Sequence, residues 1–523
     1  MIGICKADRI RSASRRAGLI RSALLLLVCS ACLERPTPNP NIIVVAIPSG
    51  PNNLDPRMAL DDASQKIGQL IFDNLFELDD NMRVTPKLAE RLDHPTPTTY
   101  VVTLKQRVPF QDGHELTSAD VVYTFRSFLD PAFNSPRKGG FRELRSVDAR
   151  DRYTVVFTLH EPFTSFPVNL VIPIVPDGAG TSPSRAPTGT GPYRFVRYAT
   201  DDRIELARFD GYFEGRPANE GLVLKVVPDD IMRGLELRKG TTDLVVNDLS
   251  PDIAYQLHKA HQLQMPRTAG VDYQYVGLNL RDPLLRDRRV RQALAYAIDT
   301  RSIIEYLQRG LAAPAAGLLP PLSWAFAPDV RPYPYDPARA RALLDEAGYR
   351  DPDGDGSVAR FRLSLKISNS QEFNRLQAAV IQQNLRTVGI DLDVRTFEFA
   401  TMFNDVISGN FQMYVMQFTA GSLADPDILR RVFHSAQAPP AGFNRGHFSD
   451  ARVDALLDEA AASPDEKRRL ELFQQVQRLV AVELPLISLW NKTNFAVADQ
   501  SLAGVQLSPL GDLKFLKDVS RSR

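Results

Sequence analysis

Residues 360–397 read RFRLSLKISNSQEFNRLQAAVIQQNLRTVGIDLDVRTF, and this stretch decides the fold class. Arg360 to Ile367 and Asp391 to Phe397 read as strands. Between them Gln371–Val388 reads as a helix closed by Gly389. A strand–helix–strand order implies a parallel pair joined by a right-handed crossover. Working outward, Ala338–Ala347 is a helix stopped by Gly348, a residue suited to the C-terminal capping position. A proline-rich stretch, Pro314 to Pro337, precedes it. Upstream, Val290 to Leu307 carries apolar residues at helical spacing and predicts one long helix, and Tyr275–Leu280 predicts a strand. A new structural unit is expected from about Gln274. Downstream, Phe411–Phe418 predicts a strand, and Val453–Ala462 and Glu466–Val482 predict helices.

The N-terminal half repeats the mixture. Ile42–Ile47 is a β-branched apolar run ended by Pro48-Ser49-Gly50, the pattern of a buried strand and a turn. Strands are predicted at Thr99–Leu104, Tyr153–Leu159, Tyr193–Tyr198, Ile204–Arg208 and Leu222–Val227. Ser118 is expected to cap a helix that carries Val121, Val122, Phe125, Phe128 and Leu129 on one side. The sum is an α/β protein of two lobes.

Bulk properties exclude several classes. A chain of 523 residues is too long for one hydrophobic core. Its net charge of +1 offers no global attraction for nucleic acid or an anionic membrane. No apolar run beyond the first thirty residues approaches the roughly 20 needed to cross a bilayer. That N-terminal segment is different. Lys6, Arg9, Arg11, Arg15, Arg16 and Arg21 precede the apolar run Ala23–Val28 and small residues at Ser30 and Ala31, the layout of an export signal over residues 1–31. Cys5, Cys29 and Cys32 are the only cysteines, so the rest of the chain has no disulfide or thiol chemistry. Cys32 opens a proline-rich tether, residues 32–41. This resembles the bacterial lipoprotein signal and predicts lipidation at Cys32, with the protein anchored outside the cytoplasm.

No pattern argues for catalysis. Asp351-Pro-Asp-Gly-Asp-Gly356 starts like a calcium loop, but position twelve is Arg362 where a bidentate Glu is required, so an acidic turn is expected. His258 and His261 have no third metal ligand nearby in sequence. Neither a nucleophile elbow nor a phosphate-cradling glycine loop occurs. No catalytic residue, cofactor or metal site is expected.

Several motifs, in order, resemble the bacterial extracellular solute-binding proteins of the peptide/nickel-binding family (family 5). They are Pro51-Asn-Asn-Leu-Asp-Pro56, Ile71-Phe-Asp-Asn-Leu-Phe-Glu-Leu78, Pro86–Glu90, Thr103–Gly113, Leu116–Phe125 and Gly189-Thr-Gly-Pro-Tyr193. In the second half come Asp287-Arg-Arg-Val-Arg-Gln-Ala-Leu-Ala-Tyr-Ala-Ile-Asp299, Asp425-Pro-Asp427 and Pro485–Trp490. The resemblance implies a large, two-lobed periplasmic-binding-protein-like fold (cluster C type) closing by a hinge. It further implies lobe I over 42–272, with an extra subdomain at about 57–175, lobe II over 273–484, and a return to lobe I over 485–523. The function it implies is capture of a small solute, a peptide or peptide-like molecule, for ABC permease subunits in the membrane, by a monomer that binds no nucleic acid. The alternative is a sensor or chaperone-like use of the fold, with a sugar, opine or metal chelate as ligand.

The ligand-binding residues carried over by the resemblance are Asp61, Phe418, Thr419, Gly421, Ser422 and Asn444. Peptide-binding members hold the ligand ammonium with an acidic residue three positions before the Asp-Pro pair. Here that position is Ser422, and a neutral hydroxyl does not replace a carboxylate there. An alignment gap in this loop would bring Asp425 or Asp427 to the same position. Asn444 also reads as a turn residue, and Asp61 as a helix N-terminal acid.

Overall fold

In the computed structural model, which describes residues 41–259, 263–354, 358–370 and 372–522, the strand–helix–strand unit is present. The first strand is Phe361–Ser368 and the second Ile390–Phe397, paired in parallel from Phe361↔Ile390 to Ser368↔Phe397. The helix Glu372–Arg386 between them buries Gln377, Ala378, Ile381 and Leu385 at helical spacing. Its return is made by Gly389 at φ 82°, a conformation that costs glycine nothing.

Around this unit the chain builds a large mixed sheet. In chain order we label β1 (Ile42–Ile47), α1 (Asp62–Ile71), β2 (Ala89–Thr96), β3 (Thr99–Leu104), α2 (Ser118–Leu129), β4 (Leu144–Asp151), β5 (Thr154–Leu159), β6 (Tyr193–Ala199), β7 (Arg203–Arg208), β8 (Gly221–Val226), β9 (Leu244–Val246), β10 (Arg267–Leu278), α3 (Arg288–Ala297), β11 (Phe361–Ser368), α4 (Glu372–Arg386), β12 (Ile390–Phe397), β13 (Met413–Phe418) and β14 (Leu486–Asp499). The hydrogen-bonded order is β12-β11-β13-β10-β14-β9-β1-β8-β7-β6. A separate four-stranded sheet, β2-β3-β5-β4, packs on α2 around Phe125, Phe128 and Phe157. The two long antiparallel strands β10 and β14 join the two ends of the large sheet: β14 pairs β9 at Val497 and β10 at Ile487. The unit boundary expected near residue 273 falls inside β10, which runs unbroken through it.

Two local expectations need correction. The predicted helix Val290–Leu307 is broken. Helix α3 ends at Ala297, Ile298 is extended, and the Asp299 carboxylate accepts from Ser302 N at 3.0 Å and Ser302 Oγ at 2.6 Å, starting a new turn. An Asp-x-x-Ser inside an apolar-periodic run is a capping signal that outweighs the periodicity. The cap of α2 is Thr117 rather than Ser118, with the Asp120 carboxylate accepting from the Thr117 N–H at 2.8 Å. Other motif residues have structural duties. Val290, Leu294, Ala297 and Ile298 are buried, and the Arg291 guanidinium donates to the carbonyls of Leu285, Arg286, Glu483 and Leu484.

A buried ionic network ties the segment around Asp73 to the chain's C-terminal end. Asp73 accepts from Thr190 Oγ1 at 3.0 Å and from the Tyr212 hydroxyl at 3.1 Å. Lys87 lies 2.5 Å from Glu214, which also accepts from Lys517 at 3.0 Å. Burial alone would raise the Glu214 carboxyl, but Lys87 and Lys517 together hold it down to about 2. Its folded value is therefore below its unfolded value of 4.5, so its contribution is complete above pH 4.5 and is lost as pH falls towards 2. Burial shifts Asp73 the other way, so acid relieves that group. Glu214→Gln should therefore flatten the fall of stability between pH 4.5 and 2, measured by urea unfolding at stepped pH.

Candidate functional site

The end of β13 and the loop after it carry most of the residues expected to bind ligand. Phe418, the last residue of β13, is buried and stacks on Tyr275 at 5.2 Å between ring centres. Behind it lies Arg445, 7 % exposed, its Nη1 donating to the Tyr275 hydroxyl at 3.0 Å and its guanidinium facing the Phe403, Phe418 and Phe443 rings at 5.4–5.7 Å. This cage fixes the end of the strand from which the loop departs. Thr419 and Gly421 are exposed, and a Cβ added at Gly421 would meet nothing within 4 Å, so the loop borders open space. Ser422 lies in the short 3-10 turn Ala420–Leu423, and its side chain is outside the described residues. Cys32 is likewise outside them, as is His261.

Other expected positions are elsewhere or already engaged. Asn444 is 2 % exposed and spends its amide on a turn, donating to the Phe448 carbonyl at 2.7 Å and the His434 carbonyl at 3.1 Å and accepting from Phe448 N at 2.9 Å. It follows the turn reading, and it is not brought to the loop surface. Asp61 is the N-cap of α1, accepting from Ser64 N at 2.9 Å and Ser64 Oγ at 2.6 Å. Asp427 is held by Arg430 at 2.9 and 3.0 Å. Asp425 accepts from Ser165 Oγ at 2.9 Å, a contact between the 425 loop and the segment that follows β5, and lies 4.0 Å from Arg469. Within the acidic turn, Asp351 accepts from Gly354 N at 3.1 Å, and no group of three or more metal-ligating side chains converges among the described residues.

Asp272, Lys66, Asp248 and Lys492 are charged groups that sequence reasoning did not single out. Asp272 Oδ1 accepts the Ala420 N–H at 2.9 Å. Lys66 of α1 pairs with Asp62 at 2.7 Å. Burial pushes the Lys66 ammonium down, but Asp62, Asp248 and Asp272 outweigh it and leave it above its ordinary value. Burial raises Asp248 and Asp272 above the usual carboxylate range, against the pull of Lys66 and Lys492 on both. Asp272 thus meets the 420 loop, and Lys66, Asp248 and Lys492 lie within electrostatic reach of Asp272 or of one another.

A family model for bacterial extracellular solute-binding proteins, family 5 (middle), matches residues 83–440. The chain belongs to this family. As a family 5 solute-binding protein it is 27% identical over 493 residues to the oligopeptide-binding protein AppA of Bacillus subtilis, covering 90% of each chain. It is 29% identical over 481 residues to the glutathione-binding protein GsiB of Salmonella typhi, covering 89% of this chain and 92% of that one. Among solved structures, the ABC transporter substrate-binding protein CtaP of Listeria monocytogenes superposes with a TM-score of 0.82 at 25% identity, over 92% of this chain and 99% of the other. The two-lobed α/β fold expected of a family 5 member is thereby established.

Proposed function

We propose that this solute-binding protein is the extracytoplasmic receptor of an ABC importer, holding a peptide or peptide-like solute between its lobes and passing it to membrane permease subunits. The observation that carries this reading is the open loop Thr419–Leu423, tied through the Ala420 N–H at 2.9 Å to Asp272 of β10, a strand of the β10–β14 pair that links the two halves of the large sheet. The loop leaves β13 on one side of the central β10–β14 pair while β9 and α1 lie with the other half of the sheet, an arrangement that suits a ligand gripped from two sides. Relatives named for oligopeptide and glutathione support the ligand class. Lobes meeting at residues 272/273 and 484/485, with lipidation at Cys32 as the membrane tether, complete the proposal. No chemistry on the solute is part of it.

A thermal-unfolding screen against tripeptides, glutathione, sugars and metal–histidine complexes tests it. A solute present at a hundred times its dissociation constant should stabilise the protein by about 2.7 kcal/mol. A solute that is consumed during the assay, or a screen in which no small solute shifts the midpoint, would overturn the proposal.

A further inference from the structure

The small four-stranded sheet keeps a core of its own, and the hairpin Phe76–Leu78 with Val84–Pro86 is rooted in it through Phe76 and Val84. The tip of that hairpin is not. Met82, 2 % exposed, belongs instead to the apolar cluster that holds Leu472, Phe473 and Val476 of the helix Glu466–Glu483. Its backbone is left-handed, at φ 59°, a conformation that favours glycine and is uncommon for a methionine. Asp79 holds the turn in this shape, its Oδ1 accepting from Asn81 N and from Arg83 N at 2.9 Å each. Burial of the flexible Met82 side chain against the helix offsets the strain of the turn. Arg83, next in sequence, pairs with Glu466 at 2.7 Å and faces the Trp324 ring at 5.7 Å.

A second contact is made at the corner after β5. Phe163 and Phe166 pack into the small core, while the two residues between them bond across to other parts of the chain. Thr164 Oγ1 donates to the Ala461 carbonyl at 2.9 Å. Ser165 Oγ donates to Asp425 Oδ1 at 2.9 Å and accepts from Arg469 Nη2 at 3.1 Å. Arg469 in turn faces the Trp324 ring at 5.5 Å, so this ring carries one arginine from each side of the contact. Asp425 lies in the same loop as the open turn Thr419–Leu423. Among the described residues no strand of the small sheet pairs with the large one. Ties made by side chains alone can form and part without disturbing either core.

We infer that the Asp79–Arg83 turn and the Phe163–Phe166 corner form a latch that closes the small sheet onto the helix Glu466–Glu483, and that a solute at the Thr419–Leu423 loop strengthens it through Asp425. The coupling rests on the solute-binding reading above. Met82 is the apolar peg, Ser165 joins Asp425 to Arg469, and Arg83 with Glu466 forms a pair on the rim. By linkage, a latch that tightens when the loop is filled also tightens the hold on whatever fills it.

Trp324 reports the latch. The only other tryptophan, Trp490, is 2 % exposed in a separate cluster, so quenching of fluorescence by acrylamide reads Trp324. Quenching should rise in Met82→Gly, which relaxes the turn while removing the peg, and in Arg83→Glu, which sets two carboxylates against each other. Adding Glu466→Arg to Arg83→Glu should bring it back towards the parent, a rescue that plain structural damage at either position would not give. Glutathione and trialanine serve as solute probes in isothermal titration. Met82→Gly and Arg83→Glu should weaken whichever binds by about tenfold, and to the same degree where both bind. Equal quenching in parent and variants would overturn the latch and leave solute binding intact. Raised quenching with unchanged affinity for a bound probe would overturn the coupling to the loop. If neither probe binds, the peptide-class reading falls and the coupling with it, and quenching alone decides the latch.

Discussion

Arg57→Met is expected to lower the unfolding free energy by about 3–5 kcal/mol, among the largest effects of any single substitution in this protein. Arg57 is 1 % exposed. Its Nε donates to Asp55 Oδ1 at 3.0 Å and its Nη2 to Asp55 Oδ2 at 2.7 Å, while the same Nη2 reaches the Gly180 carbonyl at 2.6 Å. The guanidinium also lies 4.7 Å from the Phe133 ring centre. Removing it strands the Asp55 carboxylate, itself 3 % exposed, in a site that excludes water. The loss comes from that orphaned charge more than from the pair's own attraction. Replacing both partners, as Asp55→Asn with Arg57→Met, should therefore recover more than half of it. The Asn still accepts from the Arg57-position N–H, now held by Asp55 Oδ1 at 3.0 Å. Urea unfolding of the two variants beside the parent measures both quantities. A double variant no more stable than the single one would show that the pair itself, rather than the orphaned charge, carries the energy.

Gly191→Ala is the second. The Gly-Thr-Gly-Pro-Tyr segment runs against the C-terminal end of α1, with Gly191 N–H donating to the Ile71 carbonyl at 2.9 Å. A Cβ at Gly191 would lie 2.6 Å from the Ile71 carbonyl carbon and 2.8 Å from Phe72 N. Both are backbone atoms, so no side chain can swing aside and the segment itself must move. The Gln111 amide suffers with it, since its Nε2 donates to the carbonyls of Ile71, Gly191 and Tyr193 at 2.9, 3.0 and 2.7 Å. Overpacking of this kind costs about 1–3 kcal/mol, and the disturbed hydrogen bonds place the expected value at the upper end. Gly139→Ala, where an added Cβ meets nothing within 4 Å, should change stability by less than about 0.5 kcal/mol. Similar losses for the two variants would refute the close-approach argument.

The two motifs behind these predictions, Asp55 with its neighbours and the Gly189–Tyr193 segment, were visible in the sequence as marks of the family. Their duties are structural. The same holds for Asp287, which caps α3 by accepting from Arg289 N, and for Arg291, which is spent on four carbonyls. In a sequence, a motif residue that holds a turn looks like one that holds a ligand. Asn444 illustrates this: its two-sided amide suits a ligand backbone, and it is used by the protein's own backbone at Phe448.

What the sequence determined by itself is what depends on near neighbours. Strand period, helix spacing, capping residues and a glycine return are local, and so the parallel pair Phe361–Ser368 with Ile390–Phe397 and the helix between them are legible in the sequence. The break at Asp299 was legible too, in the Asp-x-x-Ser pattern, although the longer periodicity hid it. The candidate site was not. Asp62, Lys66, Asp248, Asp272 and Lys492 are spread over more than four hundred positions, and no local pattern relates them. Only the register of β10 against β14, and the place where that register slips between Ala269 and Tyr273, sets Asp272 beside Lys492 and under the 420 loop. Their encounter is a property of strand pairing across the whole sheet, because side chains this far apart in sequence meet only where backbone hydrogen bonds bring them.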